Sequence, residues 1–405
     1  MGRQTRRRLR DTSRDVQPRA RLHRRRRERA ARHDDRGPLS VRVLLVLVVL
    51  LVSACASITQ GGSADVVSGH VTEIVEVGSR EPVGSGMPQP FQVVRVQLEE
   101  SLYRGEVVEL QWGGRRALDP NGFLRVGDRV LLSVTRDDNA RTYAILEIVR
   151  LPALIPVAAI LVLALLVVAR LKGLAALAGL ASSVAVFLLA VVPALRGGSD
   201  PLVATIFGCL GVIAVSVFVV HGLNRKSLAA LCGTMAGLGV VTAMGAFALA
   251  TARMTGLGSE EQIFLAVGTD GRIDMARLAL AAVMVGSLGA IVDMAVGQAS
   301  ATAELAAVDE TMRGRRLYAA ALNVGRDHVG SLVNTLALAY FGGALPLILL
   351  VSLGYQPVAL SLNSEQIVES LIAIMAASLG LVLCVPITTA IAVMFAGSPP
   401  PRAQE

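Results

Sequence analysis

The chain is 405 residues long, 53% hydrophobic and 17% charged, with a formal net charge of +8. That is too apolar and too sparsely charged for a soluble protein of this size, and several apolar runs of about 18 residues or more place it in the membrane class. The charge sits in one tail: residues 1–36 hold 15 Arg against five acids, whereas the remainder has 24 basic and 26 acidic residues, so nothing outside the tail points to nucleic acid as a partner.

Residues 1–40 read as a basic, disordered cytoplasmic tail, because they lack the aliphatic and aromatic content needed to fold alone. Such a run serves as an orientation signal, or marks a start codon assigned too far upstream. Val41–Ile58 follows as a signal anchor or signal peptide. Its Val52-Ser53-Ala54-Cys55 resembles a lipoprotein signal with Cys55 as the lipidated residue, and Ala54-Cys55-Ala56 fits a small-residue cleavage site. All these readings put residue 59 onward outside the cytoplasm. The four cysteines form no CxxC pair, so neither a disulfide framework nor a metal site is expected, and no cofactor is implied.

Residues 59–149 alternate apolar and polar residues in short runs: Val71–Val77, Gln92–Leu98, Val107–Trp112, Val130–Val134 and Tyr143–Val149. Gly, Pro, Asp and Asn clusters separate them, and Val126-Gly127-Asp128-Arg129-Val130 reads as a strand-entry turn. The expectation is a small extracytoplasmic all-β domain of the OB or SH3-like sort, acting as a structural or docking module.

Seven further apolar stretches fall near 152–170, 173–195, 201–221, 227–252, 275–298, 329–353 and 367–395. The fold class is therefore mainly α, a polytopic transmembrane helical bundle carrying the β domain. Residues 150–397 form a seven-helix membrane core and 398–405 a short cytoplasmic tail. With an Arg-rich N-terminus inside, Arg170 and Lys172, Arg225 and Lys226, and Arg313 to Arg326 all fall in cytoplasmic loops.

Chemistry concentrates in two stretches. At about 100° per residue, Gly286, Gly289, Asp293, Gly297, Ser300 and Glu304 share one helix face. A carboxylate at membrane depth costs several kcal/mol unless protonated, paired or hydrated. Asn323, Asp327, Gly330, Asn334 and Ala337 share a face of the next span, with Arg326 and Thr335 beside it. As consecutive antiparallel neighbours, the two faces could meet, with Asp293 near Asn334. One reading is a polar pathway with Asp293 as proton or cation carrier, Glu304 and Asp327 as a cytoplasmic relay, and Asn334 and Thr335 as walls. The other is a buried network that fixes packing, with Gly286, Gly289, Gly297 and Gly330 allowing close helix approach. Gly233 and Gly237 form a GxxxG with the same packing sense. Thr388 and Thr389 after Pro386 would repair backbone bonds that the proline frees. His221 and His328 read as interfacial. No HExxH, P-loop, GxSxG or nicotinamide-binding GxGxxG appears in context, so an enzyme is not expected.

Residues 273–348 carry a recognisable pattern: Ile273-Asp274, Gly286-Ser-Leu-Gly289-Ala290-Ile-Val-Asp293-Met-Ala295, Ser300-Ala301, Glu304, Asn323-Val-Gly325-Arg326-Asp327, Gly330-Ser331, Asn334-Thr335-Leu336, Ala339-Tyr340, Gly342 and Leu345-Pro346. This resembles the YibE/F-like membrane family, and the resemblance extends over residues 156–394. It implies an N-terminal anchor, a small extracytoplasmic domain and a multi-span core, with no established substrate. His328 and Val329 replace bulky aliphatic residues, and the Arg-rich tail and the cysteine-containing signal lie outside the family pattern. The best functional expectation is a permease-like transporter of a small solute or ion in the bacterial plasma membrane, proton-coupled through Asp293. The second is an envelope scaffold or sensor whose β domain binds a partner, and the third a membrane-embedded enzyme. The expected partners are the lipid bilayer, a small solute or ion and an envelope partner of the β domain, and a monomer and a homo-oligomer both fit the sequence.

Overall fold

The computed structural model describes residues 65–81, 88–100, 104–113, 122–137, 140–222, 224–309 and 311–397. The expected tail, the first anchor, Cys55 and residues 398–405 lie outside them. The chain divides into two compact units, one spanning residues 55–173 and the other containing residues 174–405.

The first unit is built on five antiparallel strands: β1 (Asp65–Arg80), β2 (Gln89–Leu98), β3 (Val107–Gly113), β4 (Arg129–Asp137) and β5 (Ala140–Ile148), in the order β3-β2-β1-β4-β5. Each covers one of the alternating runs seen in the sequence. β1 is long enough to pair β4 along Asp65–His70 and β2 along Gly69–Arg80. Irregularities at Val71/Glu73 and Ile74/Glu76 bend it. The two edge strands approach each other, and Tyr143 Oη donates to Glu106 Oε2 across them at 3.2 Å. The sheet is thus a near-barrel. Its inner face carries Val67, Val71, Val94, Val96, Leu98, Trp112, Val130, Leu132 and Val134, all buried.

The barrel end is closed by the segment around Leu124. Buried Gln92 takes the Leu124 N–H on Oε1 at 2.7 Å and returns Nε2 to the Leu124 carbonyl at 3.3 Å. Trp112 Nε1 donates to Gly122 O at 3.0 Å. The expected strand-entry turn is present: Gly127 adopts φ +95°, which glycine tolerates without a Cβ penalty. Asp128 Oδ2 caps the turn by accepting from Arg125 N at 2.7 Å.

The helices are α1 (Leu151–Ala169), α2 (Leu171–Val186), α3 (Val192–Arg196), α4 (Pro201–His221), α5 (Arg225–Thr251), α6 (Glu260–Gly268), α7 (Met275–Val308), α8 (Gly314–Ser352), α9 (Val358–Leu362) and α10 (Glu365–Gly397). A π-helical turn, Phe187–Val191, joins α2 to α3. Among the described residues six helices are long and apolar enough to cross a membrane, with Pro201–Val215 a shorter apolar helix. Each of the seven apolar stretches expected after residue 150 falls on helix, with 201–221 on α4.

Helix starts are encoded locally. Asn224 Oδ1 accepts from Ser227 N, Asp274 Oδ1 from Arg277 N, and Ser259 forms a capping box with Gln262. In the second unit α5, α7 and α10 form the centre, with α4 against α7 and α8 against α10 and α7. Their core is small and dense: Ala229, Ala230, Val241, Val283, Ile291, Met294, Ala295, Ala376, Leu381 and Cys384. α7 and α8, at 34 and 39 residues, are about 51 and 58 Å long. Both exceed the ~30 Å hydrocarbon core.

Trp112 is the sole tryptophan, so its fluorescence reports the β unit alone. Leu132→Ala should lower that transition by about 2–5 kcal/mol. Arg129 Nη2 lies 2.6 Å from Glu99 Oε2 and, with His70, holds the Glu99 carboxyl below its ordinary value. A depressed carboxylate adds stability that is complete above about pH 4.3 and disappears as pH falls through the folded value. Both partners are partly exposed, so the pair contributes at most about 1 kcal/mol. Arg129→Met should lower the Trp112 transition slightly at pH 7, with the difference from wild type shrinking below about pH 4.

Candidate functional site

α7 presents two unlike faces. Met284, Leu288, Ile291, Ala295, Gln298 and Thr302 are buried in the bundle. Gly286, Gly289, Asp293, Gly297 and Glu304 lie on the opposite side and are exposed, with Ser300 half-buried. The shared line read from the sequence is therefore real, but the bulky face turns inward and the small polar face stays open. α8 behaves alike. Val329, Leu332, Leu336 and Tyr340 pack on the bundle core, while Asn323, Arg326, Asp327, Gly330, Asn334 and Thr335 are exposed.

The two helices run side by side, as expected, and their contacts fix the level of Asp293. Toward one end, Tyr340 of α8 covers Gly286, where an added Cβ would lie 2.7 Å from Tyr340 Oη. Toward the other, Gln298 Nε2 donates to Ala321 O at 2.8 Å, and a Cβ on Gly325 would meet Gln298 Oε1 at 2.6 Å. Asp293 falls between these contacts. No described hydrogen bond joins it to Asn334. Asp293, Asp327 and Asn334 have no hydrogen-bonding partner among the described residues. Arg326 Nη1 donates to Asn323 Oδ1 at 3.2 Å, and Thr335 Oγ1 to Ser331 O at 2.9 Å.

The packing network expected of this face lies elsewhere. A Cβ on Gly289, Gly297 or Gly330 would meet nothing within 4 Å, which corrects their reading as packing glycines within the chain. The close approaches are between α5 and α10. A Cβ on Gly237 would lie 2.8 Å from Ile291 Cγ2 and 3.3 Å from Gly380 O, and one on Gly233 would collide with Thr388 Oγ1. Cys384 Sγ donates to Gly233 O at 3.5 Å and lies 3.4 Å from Thr388 Oγ1. Gln298, 3% exposed, also donates to Thr389 Oγ1 at 2.7 Å, and that hydroxyl donates to Val385 O. The threonines thus lock helices together. Among the described residues neither reaches the Val382 carbonyl that Pro386 leaves free. Gln298 was missed in the sequence; its signal was the Gln298–Thr302 spacing of four on the apolar face.

An ion pair stands near each end of α7. At the end where α5 begins, Lys226 Nζ pairs with Glu304 Oε1 at 2.9 Å. There a ≈ 340 Å³ recess is lined by Arg225, Lys226, Phe395 and alanines of α7 and α10. At the opposite end Asp200 caps α4 through Leu202 N and Val203 N and pairs with Arg277. The Val203 N–H, then Arg277, hold the Asp200 carboxyl below its usual range. Among the described residues no group of His, Cys, Asp or Glu is placed to hold a metal ion.

A family model for YibE/F-like proteins matches residues 157–398. The chain belongs to the YibE/F-like family. The match spans α7 and α8 and every contact just described in the bundle. No curated protein matches the chain, and no solved structure does.

Two kinds of variant should separate lock from stripe. Gly233→Ala forces Thr388 out of place and should lower the stability of the purified protein by about 1–3 kcal/mol. Thr388→Ala in the same chain should restore part of it. Asp293→Asn removes no contact and should stay within about 0.5 kcal/mol of wild type. Thermal denaturation in one detergent compares all three.

Proposed function

We propose that this YibE/F-like protein is a permease-like transporter of a small solute or ion, proton-coupled through Asp293, in the bacterial plasma membrane. One observation carries the reading. The one carboxylate deep within the α7 span takes no part in the bundle's packing, because Gln298, Thr388, Thr389 and the α5–α10 glycines perform that task. An ionisable group at such depth is unfavourable by several kcal/mol, and here no structural bond offsets it.

In this reading the α7 stripe from Gly286 to Glu304 is the track. Its glycines leave room for solute and water, Asp293 binds and releases the proton, and Asn334 and Thr335 of α8 form wall. Glu304, Asp327 and Arg326 stand at the cytoplasmic mouth, with the Arg225–Lys226 and Arg313–Arg316 loops on the same side by the positive-inside bias. The β unit is extracytoplasmic in this reading.

A stripe of this polarity cannot face hydrocarbon. The opposite wall belongs to a second copy of the chain. By sequence two other apolar stretches offer few polar groups to match it: Leu151–Ala169 has no polar side chain, and residues 41–58 have only one charge. A second α8 offers Asn323, Arg326 and Asn334.

The decisive assay is proton flux in proteoliposomes, read by a trapped pH dye across a panel of solutes. Wild type should acidify or alkalinise the lumen with at least one solute, and Asp293→Asn should abolish that flux at unchanged stability. Flux that persists in Asp293→Asn ends the proton-coupling claim and favours the scaffold reading. The dimer is tested separately: Gly297→Cys should cross-link between copies in oxidised membranes, and a strictly monomeric result would contradict it.

A further inference from the structure

The end of the bundle away from Lys226 contains a second recess, of ≈ 260 Å³, between the start of α6, the start of α10, and the middle of α7 and α8. Its polar lining is Ser259, Gln262, Tyr340, Gln366, Glu369 and Ser370, and its apolar lining is Ala282, Val283 and Ala373 with Gly258. No Arg or Lys lines it.

The two glutamates of α10 at this end are used differently. Glu365 accepts from Thr255 N, Thr255 Oγ1 and Gly256 N, at 2.5, 2.8 and 2.6 Å, and so fixes the loop before α6. Glu369, one turn further on, faces the recess. Gln262 Nε2 donates to its Oε2 at 3.3 Å, and it has no cationic partner among the described residues. Gln262 is itself held, because its Oε1 accepts from Ser259 N at 2.9 Å. The recess therefore holds one half-buried carboxylate, oriented by a fixed amide, in a lining that is otherwise neutral. A carboxylate so placed is stabilised by an incoming positive charge.

Size and lining narrow the class. The volume is too large for a bare metal ion and approaches the lower range of small-molecule sites. A bare ion would also leave the alanine and valine wall without contacts, whereas the methyl or methylene groups of an ammonium compound fill it. An aromatic side chain, Tyr340, completes the lining and is a favourable neighbour for such a cation. The same Tyr340 hydroxyl lies over Gly286, the first glycine of the α7 stripe, so this recess and the stripe meet at one residue.

We propose that this recess binds a small organic ammonium cation, with Glu369 as its counter-ion, and that it is the outer stop of the α7 track. The second half rests on the permease reading; the binding itself does not. Glu369 neutralises the charge, Gln262 and Ser370 give polar contacts, and Ala282, Val283 and Ala373 take the hydrocarbon part. Tyr340 stands between recess and stripe.

The test is equilibrium dialysis of radiolabelled choline and tetramethylammonium against the full chain in lipid nanodiscs, without a pH gradient, with sodium chloride as the competing salt. Both probes should bind saturably. Glu369→Gln should weaken binding roughly tenfold or more. Ala282→Leu, at an exposed position that narrows the recess without removing charge, should weaken it similarly, and it carries the test if Glu369→Gln does not fold. Tyr340→Phe should retain binding better than Tyr340→Ala. Absence of saturable binding by either probe, or binding unchanged by both Glu369→Gln and Ala282→Leu, overturns the proposal. Because no flux is measured, that result leaves the Asp293 reading intact. Binding in a protein whose Asp293→Asn variant still conducts would instead sustain the recess and remove the coupling.

Discussion

The helical unit depends on how closely α5 and α10 cross. At Gly237 and Gly380 there is no room for a side chain, and at Gly233 the space belongs to Thr388. In a bilayer, apolar burial gives little drive for helix association, so close backbone contact and interhelical polar bonds carry more of it. This crossing fixes the floor on which α7 lays its bulky face, and Gln298 then ties α7 to α8 and α10 at once. With α7 held by that face, the opposite line from Gly286 to Glu304 is left free.

Two populations of polar residues stand out in the bundle. One is buried and bonded: Gln298, Thr302, Thr388 and Thr389. These groups meet the requirement that buried polar atoms find partners. The other is open: Asp293, Asp327 and Asn334, which have no described hydrogen bond. A structural account covers the first population fully and leaves the second without a purpose. The functional proposal rests on that contrast.

Much of this arrangement was legible in the sequence, and the limits have a physical cause. The β unit reads well because strand alternation has a strict period of two and its turns carry specific residues. Gly127 and Asp128 sit where the strand-entry turn was expected, and the five runs became β1–β5. The α7 line also reads well, because helical periodicity determines which residues share a face. Periodicity does not say which face turns inward. Gly289, Gly297 and Gly330 look like packing glycines for the same reason that Gly233 and Gly237 do, and only the fold separates them. Gln298 went unnoticed because it lies among alanines and valines, on the face opposite the aspartate. The start of α8 at Gly314, fifteen residues before its apolar run, was hidden because arginines there lower the hydropathy without breaking the helix. The Glu369 recess joins α6, α7, α8 and α10, and lining residues up to 115 positions apart, from Gly258 to Ala373, leave no local motif.

The central claim is that Asp293 is an accessible, exchanging carboxyl rather than a sealed structural one. The most direct measurement is labelling of the full chain in membranes with a lipid-soluble carbodiimide, which reacts with protonated carboxyls, followed by mass spectrometry across a pH series. The account predicts modification at Asp293 that rises as pH falls and is suppressed by a transported solute, with Asp293→Asn as the blank. No modification of Asp293 at any pH would contradict it.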